Sequence, residues 1–203
     1  MNRYRERQKF FNQQAANWDA ESNEEKTQAL QKIFKQLHLH LKGWVLDVGC
    51  GTGILAPILS KFLEGRGKVV EFDFSLEMLR QNRNNFSSQG MQLLQLNGDA
   101  HFLPFASQKF NFLACLAVLP HLSWPHLAYR EWHRVLQPDG NLLILHLMSS
   151  ERLNQFHSQA GQAIQSDHLP PVEVVSSHLQ SEGFQINKSL EKENLYLILA
   201  RKL

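Results

Sequence analysis

The residues most able to do chemistry are a glycine-rich loop and a series of carboxylates spaced behind it. Residues 47–53 read Asp-Val-Gly-Cys-Gly-Thr-Gly. Alternating glycines let a chain turn tightly and let a ligand approach the backbone closely. The loop has no lysine of the G-x-x-x-x-G-K-[ST] type, and the third glycine of G-x-G-x-x-G is replaced by Ile54. Both features count against ATP and NAD. Asp47, at the base of the loop, can engage a ligand's cationic amino group and would be a poor neighbour for a pyrophosphate. About twenty residues past the glycines, Asp73 stands where a ribose-binding carboxylate belongs, with Glu71 as the rival two residues earlier. The strand-end position favours Asp73. Asp99 can accept a hydrogen bond from an adenine amino group, and Phe74 can pack against its ring. Each residue alone also reads as a turn glycine, a helix cap or a core aromatic. Their order at successive strand ends is harder to explain that way.

Histidines form the second group. His121 follows the fourth apolar strand in Leu119-Pro120-His121, and His146 lies near the end of the fifth. His157 lies in a polar segment with Ser149, Ser150, Asn154, Asp167 and His168. A near-neutral pKa makes such a side chain a candidate general base. His121, His146 and His157 are therefore the catalytic candidates, the alternative being histidines bonded to loops or packed in the core. His38, His40, His126, His133 and His178 are expected on the surface or in helix packing. The three candidates come from three segments with no H-x-x-x-H pair, so no metal is expected.

These groups need a scaffold. The apolar spacing predicts helices over 1–22 and 24–41, then a strand at 44–48 running into the glycine loop. Helices at 54–62, 76–84, 124–136 and 172–181 alternate with strands at 68–72, 91–96, 110–116 and 141–147. Ser75 is placed to cap the helix at 76. Pro138-Asp139-Gly140 reads as a turn, and residues 148–171 are less regular. Two last strands, 184–190 and 195–201, should form an antiparallel hairpin. Alternating strands and helices imply an α/β fold: a Rossmann-like, doubly wound, mostly parallel seven-stranded sheet with an antiparallel C-terminal hairpin supplying an edge strand. Ligands then bind beyond the C-terminal strand ends. Residues 1–42 form helices covering the site, and 43–203 form the ligand-binding domain.

The 203 residues suit one structural unit. The net charge of +2 is far from a nucleic-acid-binding footprint, and Arg3, Arg5 and Arg7 read as a solvated helix face. Cys50 and Cys115 form no C-x-x-C pair, so neither a disulfide framework nor a Cys-only zinc site is expected. The N-terminus lacks the apolar core of a signal peptide, and no apolar run approaches about 18 residues. A cytoplasmic setting, no membrane partner, no nucleic acid and a monomer or homodimer are expected.

The segments V-L-D-V-G-C-G-T-G at 45–53, V-V-E-F-D-F-S-L-E-M-L at 69–79, G-D-A-H-F-L-P-F at 98–105 and R-V-L-Q-P-D-G at 134–140 together resemble class I S-adenosylmethionine (SAM)-dependent methyltransferases of the ubiquinone/menaquinone-biosynthesis type. The segment F-F-N-Q-Q-A-A-N-W-D at 10–19, with Trp18, is similar to that group's entry helix, which helps cover the donor. The resemblance implies that Gly49, Gly51 and Gly53 line the methionine part of the donor. It implies that Asp73 binds the ribose hydroxyls, that Asp99 and the Ala100 backbone read the adenine, and that the chain at Cys115-Leu116 passes the amino-acid end. Glu71 stands where the family often has Gly, and Asn111 where it often has Asp. The expected reaction is in-line methyl transfer, leaving S-adenosylhomocysteine. Residues 117–120 lack the N/D-P-P-Y/F tetrad of amino-methylating DNA enzymes, and Cys115 lies in an apolar strand rather than at a nucleophile's position. A small-molecule acceptor is the expectation; the alternative is a SAM-binding regulatory or accessory protein without turnover.

Overall fold

A computed structural model of the chain describes residues 2–19, 23–87 and 94–203. Seven strands form one sheet in the order β3-β2-β1-β4-β5-β7-β6. They are β1 (Gly43–Val48), β2 (Gly67–Asp73), β3 (Leu94–Asn97), β4 (Phe110–Leu116), β5 (Leu136–His146), β6 (Phe184–Lys192) and β7 (Leu195–Lys202). The helices are α1 (Asn2–Gln14), α2 (Asn23–Gln36), α3 (Ala56–Leu63), α4 (Leu76–Ser87), α5 (Pro125–Val135), α6 (Ser150–Ser158) and α7 (Val172–Ser181).

The first five strands are parallel. Strand β7 pairs antiparallel with both β5 and β6, so the reversed strand lies inside the sheet and β6 forms the edge. This corrects the expectation of an antiparallel edge strand: the β6–β7 hairpin inserts its second arm beside β5. That arm reads Leu195-Tyr196-Leu197-Ile198-Leu199-Ala200, apolar on both faces, which suits an interior strand.

Both faces of the sheet are covered. On one, Leu46, Val48, Phe72, Leu113 and Ile144 pack with Ala128, Tyr129 and Trp132 of α5 and with Val172, Val175 and Leu179 of α7. On the other, Val45, Phe112, Ala114, Leu143 and Leu197 pack with Leu30 and Phe34 of α2 and Ile58 and Leu59 of α3. The period-2 alternation along β1 sends neighbouring residues to opposite cores.

Several element boundaries differ from the sequence expectation. Helix α1 ends at Gln14 and passes into a 3-10 turn at Ala15–Asn17. Residues 20–22 and 91–93, expected within a helix and a strand, lie outside the described residues. Helix α2 stops at Gln36, close to His38, whose φ of 47° is left-handed. The Pro138-Asp139-Gly140 turn is a bulge inside β5. Phe110 pairs with Leu136 and Phe112 with Asn141, and Asp139 at φ 61° carries the extra chain. The irregular segment after β5 contains α6, whose first turn is capped by Ser149 accepting from the Arg152 amide at 3.3 Å. No helix among the described residues is long and apolar enough to cross a membrane.

Candidate active site

Strand order reverses between β1 and β4, and the loops that follow these two strands flank the crevice that such a switch opens. A cleft of about 990 Å³, counting its mouth, lies there. Its floor is the loop after β1. Gly49 sits at φ 70°, and a side chain on it would strike Val118 Cγ2 at 2.1 Å. Gly51, at φ 54°, faces open space, so a ligand can lie against its backbone. Opposite, Ala117 is held at φ 57°, which L-residues other than Asn, Asp and His seldom adopt, and it too lines the cleft.

Asp47 lines this cleft and is buried, and neither carboxylate oxygen has a hydrogen-bond partner among the described residues. Burial raises its pKa well above the ordinary carboxylate value, and the charges of Glu71 and Asp73 add to that. A buried, unpaired acid of this kind is costly unless something cationic or hydrogen-bonding completes it.

Asp73 closes β2 with both oxygens engaged. Oδ2 accepts from the Gly51 amide at 2.9 Å and Oδ1 from the Ser75 amide at 2.7 Å. Burial pushes its pKa up to about 6 despite these bonds. Glu71 is also buried, but it turns away from the cleft to accept from Asn82 Nδ2 at 2.9 Å and Gln95 Nε2 at 3.3 Å. It therefore anchors α4 and β3 to β2. Ser75 caps α4 as expected, accepting from the Met78 amide at 3.2 Å.

Asp99 follows β3 and accepts on Oδ1 from the amide and the Nδ1–H of His101. His101 Nε2 in turn accepts from the Trp124 amide at 3.2 Å, ahead of α5. Burial opposes ionisation of Asp99, but the His101 bonds outweigh it and hold its pKa below the usual value. Oδ2 is left for a ligand's donor.

The N-terminal segment covers this floor. Gln8 Nε2 donates to the Phe74 carbonyl at 2.7 Å, and Ser75 Oγ donates to Asn12 Oδ1 at 2.7 Å. Thr52 Oγ1 donates to Asp19 Oδ1 at 2.9 Å. Phe11 packs on Phe74 and Trp18, with ring centroids 5.6 Å apart in both pairs. Trp18 is 44% exposed at the rim.

Of the residues singled out from the sequence, Trp18, Asp47, Gly49, Gly51, Asp73, Phe74, Asp99, Ala100, Leu116 and His121 line the cleft. Gly53 does not. Its φ is 95°, and a side chain there would strike Asn82 and Phe86 at 2.6 Å, so it is needed for packing of the loop on α4. His146 and His157 lie outside the cleft lining but close to His121. The rings of His121 and His157 are 5.2 Å apart. His146 is buried against Tyr196, neither ring nitrogen has a partner among the described residues, and burial, with His121 and His157 nearby, lowers its pKa to about 3. Asn111 is structural, accepting from the Trp44 amide at 3.0 Å.

Sequence reasoning missed Tyr4, Arg7, Thr52 and His101 in the lining. Arg7 corrects an expectation directly. It was read as part of a solvated basic face, yet it is 6% exposed and its guanidinium bonds Asp167. Arg3 and Arg5 are exposed as expected. Only the partner, 160 residues away, distinguishes Arg7 from its neighbours. Among the described residues, no group of three or more His, Cys, Asp or Glu side chains is arranged to hold a metal ion.

Comparison with known proteins agrees with this geometry. Residues 45–140 match the family model described as a methyltransferase domain. The ubiquinone/menaquinone biosynthesis C-methyltransferase UbiE of Hahella chejuensis is 30% identical over 171 residues, covering 80% of this chain and 67% of that protein. The chain belongs to the class I SAM-dependent methyltransferase family. The family member of the same name from Neisseria gonorrhoeae is 32% identical over 140 residues, 66% of this chain. The chain spans a little over half of that relative's length, 57%. A SAM-dependent methyltransferase structure from Aquifex aeolicus superposes with a TM-score of 0.75 over 95% of this chain and 98% of that one, at 20% identity, a likeness of fold. The doubly wound sheet expected from the sequence is thus the methyltransferase sheet, and SAM is the donor that this family implies.

Proposed function

We propose that the protein transfers the methyl group of SAM to a small-molecule acceptor. The observation that carries this reading is Asp47, a buried carboxylate without a partner at the floor of the cleft. The donor's amino group supplies the positive charge that it lacks. Asp73 would hold the ribose hydroxyls, Asp99 Oδ2 the adenine amino group, and Phe74 and Trp18 the faces of the base and the cover. Gly49 and Gly51 leave room for the methionine part, with Leu116 beside it. Residues 1–42 serve as the cover and 43–203 as the binding domain.

When bound, the sulfonium supplies an already activated methyl group, so the protein's work is to align the acceptor and exclude water. His121 lines the cleft and is the residue that we assign as general base. His157 and His146 back it from behind the wall, where burial keeps both pKa values low and both rings uncharged near neutrality. The relatives' printed names favour a quinone-type ring as acceptor, and the net charge of +2 favours a small molecule over nucleic acid. A cytoplasmic setting accords with the two buried free cysteines.

The test is incubation of the protein with SAM and a panel of quinols, phenols and thiols, followed by mass measurement of S-adenosylhomocysteine and the methylated product. Product from a quinol or phenol is expected. Tight donor binding with no product from any acceptor would favour an accessory protein instead. Failure to bind SAM or S-adenosylhomocysteine would overturn the donor assignment.

A further inference from the structure

A polar cluster joins the cleft wall, at His121 and Arg7, to a buried carboxylate behind it. Asp167 sits in the loop between α6 and α7 with a side chain that is 0% exposed. Its Oδ2 meets His121 Nδ1 at 2.6 Å. Its carboxylate also takes the Arg7 guanidinium, with Nε at 2.8 Å and 3.1 Å from the two oxygens and a further bond from an Nη. Arg7 Nη1 donates to Ser123 Oγ at 2.9 Å. The Asp167 backbone is held as well. His157 Nδ1 meets its carbonyl at 3.0 Å, and Asn154 pins Leu169 by both amide and carbonyl, at 2.8 Å and 2.9 Å. A loop carboxylate is thus fixed by α6 on one side and by the N-terminal helix on the other.

We propose that Asp167 and Arg7 are positioning residues for His121: Asp167 fixes the imidazole as its Nδ1–H tautomer, leaving the lone pair on Nε2 for the acceptor's proton, and Arg7 moderates the charge of Asp167. This rests on the reading of the protein as a methyltransferase and sharpens its acceptor to one that must lose a proton, such as a phenol, quinol or thiol. The balance is simple. The acceptor's proton passes to His121 Nε2, and its electron pair forms the bond to the methyl carbon. The carbon–sulfur pair stays on sulfur, leaving S-adenosylhomocysteine, and His121 then releases its proton to water. An unpaired imidazole would be free to adopt either tautomer and either ring orientation; a buried carboxylate on Nδ1 removes that freedom. The charged or titratable groups facing His121 are Asp167 from the loop, Arg7 from α1, His157 from α6 and His146 from β5.

The tautomer makes the idea testable without an acceptor. Nitrogen NMR of the histidine rings in the whole protein, at a pH where the rings are neutral, should find His121 as the Nδ1–H tautomer. In Asp167→Asn, whose amide can donate to Nδ1, the Nε2–H form should become populated. In Arg7→Gln the Nδ1–H tautomer should persist, because Asp167 still accepts from the ring. Affinity for S-adenosylhomocysteine, measured by calorimetry, should change less than threefold in Asp167→Asn. An Nε2–H tautomer in the unaltered protein, or an unchanged tautomer in Asp167→Asn, would overturn the proposal. The tautomer measurement stands even if a variant fails to fold. Loss of S-adenosylhomocysteine binding by the unaltered protein would instead indict the methyltransferase reading.

Discussion

Asp73 and Glu71 are two carboxylates on one face of β2, both buried, yet their neighbours assign them opposite work. Glu71 is consumed by the amides of Asn82 and Gln95, whereas Asp73 reaches the cleft. Asp73→Ala should weaken S-adenosylhomocysteine binding roughly ten- to hundredfold, the ~1.5–3 kcal/mol of a charge-assisted hydrogen bond. Glu71→Gln should change it much less. Calorimetry on both variants decides the ranking, and the reverse order would move the ribose contact to Glu71. The pH dependence follows from the same residues. The pKa of Asp73 is raised to about 6, and burial raises that of Asp47 well above the ordinary carboxylate value, so both hold protons in the free protein more readily than ordinary carboxylates. The ligand's amino group and ribose need the charged forms. Affinity should therefore fall as pH drops through about 6, and binding near pH 6 should release protons, read as a dependence of the binding enthalpy on buffer ionisation heat.

At the scale of elements, α1 and the turn after it are tied to the floor of the cleft by a small set of bonds. Gln8 holds the Phe74 carbonyl, Asn12 takes Ser75 Oγ, and Asp19 takes Thr52 Oγ1. The apolar cluster beneath is small, with Phe11, Ala15, Met78 and Ile164 as its buried members. The Arg7–Asp167 pair adds a buried polar tie, so opening of this segment is local and costs less than unfolding the sheet's two cores. Donor binding should slow amide exchange across residues 2–17 while leaving β4 and β5 unchanged, since those strands are already in the core. Uniform protection across the chain would instead signal global stabilisation. Asn12→Ala should speed exchange in α1 and weaken donor binding about three- to tenfold, as loss of one or two partly exposed hydrogen bonds implies.

For the molecule as a whole, the sheet's two cores leave a histidine ring with no hydrogen-bond partner among the described residues. His146, at the C-terminal end of β5, is 2% exposed and has its pKa lowered to about 3. Its folded pKa lies below its unfolded value, so the unfolded chain binds more protons as pH falls. The stability contributed by the neutral buried ring is fully present above the unfolded pKa of about 6.5 and is lost as pH falls toward 3. Urea unfolding followed from pH 7 to pH 4 should show a steep acid limb in the unaltered protein and a flatter one in His146→Phe. Equal limbs would mean that other groups carry the acid sensitivity.

The sequence by itself determined the α/β order, the parallel core and most of the residues that line the cleft, because these depend on short-range facts. An apolar period of two gives a strand, a glycine run after it gives a ligand-accessible turn, and a carboxylate at a strand end must face the crevice. Asp47, Asp73 and Asp99 were legible for that reason. Tertiary structure decided everything that depends on partners distant along the chain. Arg7 looks like Arg5 until Asp167 is brought beside it, and His101 looks like any loop histidine until Trp124 offers its amide. Gly53 looks like a ligand contact until α4 fills the space above it. The β6–β7 hairpin was visible as a hairpin, but which arm lies inside the sheet depends on what β5 accepts as a neighbour. Such choices are made by burial and by pairing of charges across the fold, and no local pattern of residues encodes them.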